Sequence, residues 1–275
     1  MQKTAVTDGK LQHAHTLAQS NVQVAPKFLF GHKGDVNGNL FFLDNSTICY
    51  PCGHNIVIYS LDDGTQKFIP GTEGSEGITA MALSHNRKQL AVCEQASKAI
   101  CTVYNIGKML ETFKEPKNKS SNMTIDHATV KKRRILASTE YTAKAFISCD
   151  FSLQNEKLLV TIGDDCRIVV WQWDKQKCLA NEVIQLTSSA SVIRQVSFSN
   201  TNGSVILVTG KDVYKFFMLS DNSNLKQLHS SFARKDDQQP LSTNFICHTW
   251  LADGKFIVCT DIGQILLFEQ SGDFK

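Results

Sequence analysis

From Lys27 onward the chain alternates between short apolar runs and short polar breaks. Val, Ile, Leu, Phe and Thr fill the runs, while Gly, Asp, Asn and Ser fill the breaks. Runs of this length, bounded by turn-forming residues, read as β-strands. No long stretch places apolar residues at helical spacing. Residues 1–26 are polar and largely without period, and they are expected to form a disordered tail.

The strands recur in a fixed order, which predicts a repeat architecture. A strand ending in a polar turn is followed by a more aliphatic strand, a tight turn, and a third strand carrying aromatics. ITAMALSHN, KQLAVCEQ and KAICTVYNI make one such set; FISCDFSL, KLLVTIGDD and RIVVWQWD make the next. Fourth strands such as QKFIPG, KCLANEVI and LKQLHSS lie between sets. Five imperfect repeats, each of roughly 40 to 50 residues, predict an all-β protein with the blades of a β-propeller. The expected blades span 38–71, 78–114, 145–184, 192–231 and 245–272, with a basic insertion at 115–134. The third is closest to the WD-repeat pattern: Gly163, Asp164 and Asp165 make the tight turn, and Trp173-Asp174 is a literal WD dipeptide. No full His–Asp–Ser–Trp hydrogen-bond set can be assembled within one blade. A propeller closes when an N-terminal strand joins the last blade. The stretch KFLFG at 27–31 is expected to be such a strand, but the fifth set lacks a fourth strand, so the propeller is expected to be open. A fragment, a truncated isoform or an incomplete gene model would account for this, the missing blades being supplied by the rest of a longer chain.

One short stretch, CYPCGHN at 49–55, invites a chemical reading, because C-x-x-C followed by histidine can hold zinc or exchange a disulfide. Stacking the second strands places Cys49, Cys93, Thr161, Thr209 and Cys259 in one column. Blades pressing together need small side chains there, and Cys serves as a small hydrophobe. Cys52, Gly53, His54 and Asn55 then fall on a turn, where Gly and Asn tolerate positive φ. No second ligand pair is evident nearby, so a structural reading is favoured over a thiol or metal site built on Cys49, Cys52 and His54.

Composition narrows the functions further. Nine cysteines, an odd number scattered through apolar runs, fit reduced and buried thiols. No run approaches a membrane-spanning length, and the first residues lack the apolar core of a signal peptide. There is no G-x-S-x-G elbow, no P-loop, no H-E-x-x-H and no Rossmann glycine triplet. His13 and His15 lie in the tail, His248 sits mid-strand, and the adjacent Asp164 and Asp165 suit backbone bonding at a turn. No enzymatic activity, cofactor or metal is expected. The net charge of +3 does not by itself imply nucleic-acid binding. The insertion KEPKNKSSNMTIDHATVKKRR ends in Lys131, Lys132, Arg133 and Arg134; it reads first as a solvated loop with a basic end, and as candidate partner-binding residues these four cations suit an acidic surface. No aromatics interleave with them, which argues against nucleic acid.

The stretch QKFIPGTEGSEGITAMALSHNRKQLAVCE, the run VIRQVSFS from Val192 and HTWLADGKFIVCTDIGQILLFEQSGD from His248 resemble the cilia- and flagella-associated protein 57 family. These are WD-repeat proteins of the ciliary axoneme, and the resemblance runs in order from Phe28 to Asp273. It implies a non-enzymatic scaffold in the cytoskeleton of cilia and flagella, helping to place inner-arm dyneins and regulatory complexes on doublet microtubules. The implied partners are axonemal proteins and tubulin, with neither nucleic acid nor membrane. The family offers no catalytic or cofactor residues to carry over. A general intracellular or nuclear WD-repeat adaptor remains the alternative.

Overall fold

The computed structural model describes residues 27–107, 110–111, 133–221, 223–228 and 242–273. The apolar runs form strands because their residues alternate between two faces, each covered by a neighbouring sheet. The first antiparallel sheet holds β1 (Phe41–Phe42), β2 (Thr47–Cys52), β3 (Asn55–Ser60) and β4 (Gln66–Pro70). The second holds β5 (Gly77–Leu83), β6 (Gln89–Gln95), β7 (Ile100–Asn105) and β8 (Arg133–Leu136). The third holds β9 (Phe146–Phe151), β10 (Leu158–Gly163), β11 (Arg167–Gln172) and β12 (Lys177–Val183). The fourth holds β13 (Val192–Phe198), β14 (Val205–Lys211), β15 (Val213–Leu219) and β16 (Leu225–Leu228). The fifth has three strands among the described residues, β17 (Phe245–Trp250), β18 (Phe256–Thr260) and β19 (Ile265–Phe268). No helix among the described residues is long and apolar enough to cross a membrane.

The core lies between consecutive sheets, face to face. Ile56, Ile58 and Ile69 of the first sheet meet Ile78, Leu90 and Val92 of the second. Ala80, Cys93 and Val103 meet Phe146, Leu159 and Trp171 of the third. Val160, Ile162 and Val170 meet Val196, Ile206 and Phe217 of the fourth. Leu207 and Phe216 meet Phe245, Phe256 and Phe268 of the fifth. Strands buried on both faces lose the simple in–out alternation, and all six residues of β10 are buried. Among the described residues the sheets do not close into a ring.

Two expectations differ from the structure. The pairing of β8 with β7, with Arg134 opposite Val103, makes β8 the fourth strand of the second sheet. The basic insertion expected at 115–134 between two blades therefore lies within one, between its third and fourth strands, and its last two residues, Arg133 and Arg134, are strand. Apolar counting ended that blade early because β8 (Arg133–Leu136, RRIL) begins with two exposed cations. The stretch 27–31 does not act as a closing strand. Described residues 27–30 take no strand assignment, and Leu29 is held by a side chain instead: its N–H donates to Gln66 Oε1 at 2.8 Å and its carbonyl accepts from Gln66 Nε2 at 3.2 Å. This segment lies against the outward face of the first sheet, where Leu29 joins Cys52, Val57 and Phe68. Gly38, at φ +68°, lets the chain pass β5 so closely that a Cβ there would stand 2.2 Å from the Met81 carbonyl oxygen.

Candidate functional site

The innermost strands carry polar residues within otherwise apolar runs, and these residues stitch one sheet to the next. Thr79 Oγ1 on β5 donates to the Phe146 carbonyl of β9 at 2.8 Å. Ser148 Oγ on β9 accepts from the Val196 N–H of β13 at 3.2 Å. Gln195 on β13 accepts the His248 N–H of β17 at 2.8 Å and donates to its carbonyl at 3.0 Å. Asn37 accepts from the Met81 N–H and donates through its side chain to the Arg194 carbonyl, at 2.8 and 2.9 Å. These bonds join the second to the fifth sheets around one axial pocket of about 430 Å³, which Phe41 of the first sheet also lines.

Two titratable side chains of this pocket carry perturbed chemistry. His248 is 5 % exposed, with Nε2 2.6 Å from Ser197 Oγ and Nδ1 2.7 Å from Thr209 Oγ1. Trp250 Nε1 donates to the same Ser197 hydroxyl at 2.8 Å. Burial disfavours the imidazolium and pulls its pKa down to about 3, so the ring is neutral and structural. Asp150 on β9 is half-buried and accepts the Phe198 N–H at 2.9 Å. Desolvation pushes its carboxyl up to about 7, the backbone N–H groups of Phe198 and Phe151 opposing that rise only in part. Among the described residues no Lys or Arg pairs with it.

The candidate residues read from sequence are scattered. Lys131 and Lys132 lie outside the described residues. Arg133 and Arg134 stand exposed on the edge strand β8, away from the axial pocket. Cys49 and Cys52 are three apart on β2, hence on opposite faces. Cys49 joins the core between the first two sheets, where burial raises its thiol pKa, while Cys52 Sγ lies 3.2 Å from the Phe30 carbonyl on the other side. Gly53, at φ +57°, makes the turn between β2 and β3. Among the described residues no three His, Cys, Asp or Glu side chains gather as a metal site. Of the small-residue column, Cys49, Cys93, Thr161 and Thr209 are fully buried, and Cys259 is half-buried. Asp165 and Asp164 bond backbone N–H groups, of Thr142 at 2.8 Å and Lys144 at 2.9 Å respectively. Part of the WD hydrogen-bond set is present: Trp171 Nε1 donates to Thr161 Oγ1 at 2.9 Å.

His54 instead enters a network around the buried Glu94. Thr72 N–H and Ser75 Oγ donate to Glu94 Oε1 at 2.8 and 2.9 Å, and Thr72 Oγ1 donates to Oε2 at 2.5 Å. His54 Nε2 contacts both Ser75 Oγ and Glu94 Oε1. A serine, a histidine and a carboxylate meet here, but not as a nucleophilic triad. That chemistry needs the serine on one ring nitrogen and the carboxylate on the other. Here one nitrogen serves both, and the serine proton is directed to the carboxylate, so the cluster ties the first two sheets together. The sequence reading missed Glu94, Ser75 and Asp150. For Glu94 and Asp150, a polar residue inside an apolar run was the available signal; Ser75 lies in a polar loop and offered none.

Comparison with known proteins sets the class first. No family model matches the chain. The solved WD40 β-propeller domain of Doa1 superposes with a TM-score of 0.55 at 15 % identity, over 90 % of this chain and 69 % of that one. The chain therefore has the WD40 β-propeller fold. Among curated proteins, cilia- and flagella-associated protein 57 of Mus musculus is 32 % identical over 256 residues, 92 % of this chain and 18 % of that protein. Cilia- and flagella-associated protein 57 A of Tetrahymena thermophila is 27 % identical over 280 residues, 90 % of this chain and 22 % of that protein. Cilia- and flagella-associated protein 44 of Mus musculus is 22 % identical, over 88 % of this chain and 12 % of that protein. The chain thus spans 18 % and 22 % of the length of the first two relatives. Over that length it is a homologue of the cilia- and flagella-associated protein 57 family.

Proposed function

We propose that this propeller is a non-enzymatic interaction scaffold of the ciliary or flagellar axoneme, helping to dock inner-arm dynein and regulatory complexes on doublet microtubules. The observation that carries the reading is the 32 % identity to cilia- and flagella-associated protein 57 across 92 % of the chain. A rigid stack of sheets that presents turns at its two ends suits protein binding. The polar clusters with catalytic composition support the same reading, because each is engaged in joining sheets.

The basic end Lys131, Lys132, Arg133 and Arg134 is the proposed electrostatic contact with an acidic partner such as tubulin. Arg133 and Arg134 support it by standing exposed on an edge strand, where charge also discourages stray strand pairing. The test is extraction of detergent-stripped axonemes, with rising salt, from cells expressing the tagged chain. Retention until high salt is expected, with loss at lower salt when all four cations are replaced by Gln. Absence from axonemes while the chain stays soluble in the cell body overturns the axonemal role. An unchanged salt profile in the four-fold variant overturns the basic contact alone.

A further inference from the structure

We propose that the axial pocket receives one basic side chain, Arg or Lys, from a partner polypeptide, with Asp150 as its counter-charge. The inference is independent of the axonemal reading. Asp150 is the one carboxylate among the described residues lining this pocket, and no Lys or Arg joins it there. Arg194 on the neighbouring strand β13 directs its guanidinium to Asn244 Oδ1 at 3.2 Å instead. Phe41, Leu153 and Trp250 give apolar wall to the pocket, suited to the methylene stem that precedes a cationic head. A volume of about 430 Å³ is ample for one long side chain.

A purely structural role explains Asp150 less well. Ser148, two residues earlier on the same strand, performs the same stitch to β13 with a neutral hydroxyl. Holding a carboxylate in a desolvated position without a cation disfavours its charged form, and the carboxyl pKa of about 7 reports that cost. A bound cation relieves it. Binding should therefore strengthen as pH rises through 7. The other titratable groups around the pocket are His85 in the turn after β5, Cys149 beside Asp150, and His248 on β17. A hydrogen bond to Cys93 lowers the Cys149 thiol pKa, but burial and the neighbouring Cys101 and Asp150 together raise it above the ordinary value, and burial keeps the His248 ring neutral across that range.

The test is isothermal titration of the whole chain, at low ionic strength, with acetyl-Gly-Arg-Gly-amide, its Lys counterpart and its neutral citrulline counterpart. Saturable binding of a cationic peptide is expected, at least about ten-fold tighter than the citrulline peptide. Affinity should fall about ten-fold from pH 8 to pH 6, as an ionised Asp150 becomes the minority form. Asp150→Asn keeps an acceptor for the Phe198 N–H, so its melting curve should stay cooperative while binding and its pH dependence are lost. If that variant does not fold, the citrulline comparison and the pH dependence of the unaltered chain decide the matter. The proposal is overturned by no saturable binding of either cationic peptide, by equal binding of the citrulline peptide, or by unchanged binding in a folded Asp150→Asn chain.

Discussion

Acidification should destabilise the propeller through His248, by an amount the geometry sets. The ring is buried between the fourth and fifth sheets, with both nitrogens against hydroxyls and, among the described residues, no carboxylate bonded to it to support a charge. Its pKa falls from the ordinary 6.5 to about 3 on folding. As pH drops below 6.5 the unfolded chain takes the proton while the folded chain does not. Stability is therefore lost progressively from pH 6.5 and most fully below pH 3. Between pH 7 and pH 5 the linked loss is about 2 kcal/mol, and over the whole window about 5 kcal/mol. That is a large part of the roughly 5–15 kcal/mol typical of a folded domain. Asp150 acts oppositely: its folded value of about 7, raised above the ordinary 3.8, makes the folded chain bind a proton first, so its contribution improves as pH falls from 7 toward 4. Comparing His248→Asn with the unaltered chain removes that background. Urea unfolding at pH 7 and pH 5 should show the unaltered chain losing about 2 kcal/mol more than the variant. Equal losses in the two proteins would refute the reasoning.

Trp171→Phe should cost about 2–3 kcal/mol, by leaving the buried Thr161 hydroxyl without its donor and opening space in the core between the second and third sheets. Adding Thr161→Val should recover part of that loss, and strict additivity in chemical denaturation would contradict the pairing. Thiol labelling of the native chain should modify Cys247, which is exposed, well before Cys49, Cys93 or Cys101, which are fully buried. Uniform labelling rates under native conditions, read by peptide mass spectrometry, would contradict the burial pattern.

Much of the fold is legible in the sequence because a strand's side-chain period is two and its turns demand particular residues. The third blade shows this best: Gly163, Asp164 and Asp165 close the turn, and Ile168 to Trp171 fill the strand after it. β8 was not legible, since an edge strand of exposed Arg133, Arg134 and Ile135 carries no apolar signal and pairs only because β7 offers it an edge. The stretch at Leu29 misled in the other direction. Its apolar residues suit a strand, yet the Gln66 side chain satisfies its backbone.

The sequence alone determined the repeat and the strand class, because a side-chain period of two and turn residues act over a few positions. It also pointed to packing for Cys49 and to backbone bonding for Asp164 and Asp165, although their partners, in the second sheet and at Thr142 and Lys144, lie far along the chain. Only the tertiary structure decided what Asp150, Glu94 and His248 do. Their partners lie across sheet boundaries: Phe198 is 48 residues from Asp150, and Ser197 is 51 from His248. Nothing in local spacing encodes such a meeting. It follows from how twisted sheets stack around an axis, and that same stacking strips water from the carboxyl and imidazole and sets their charge.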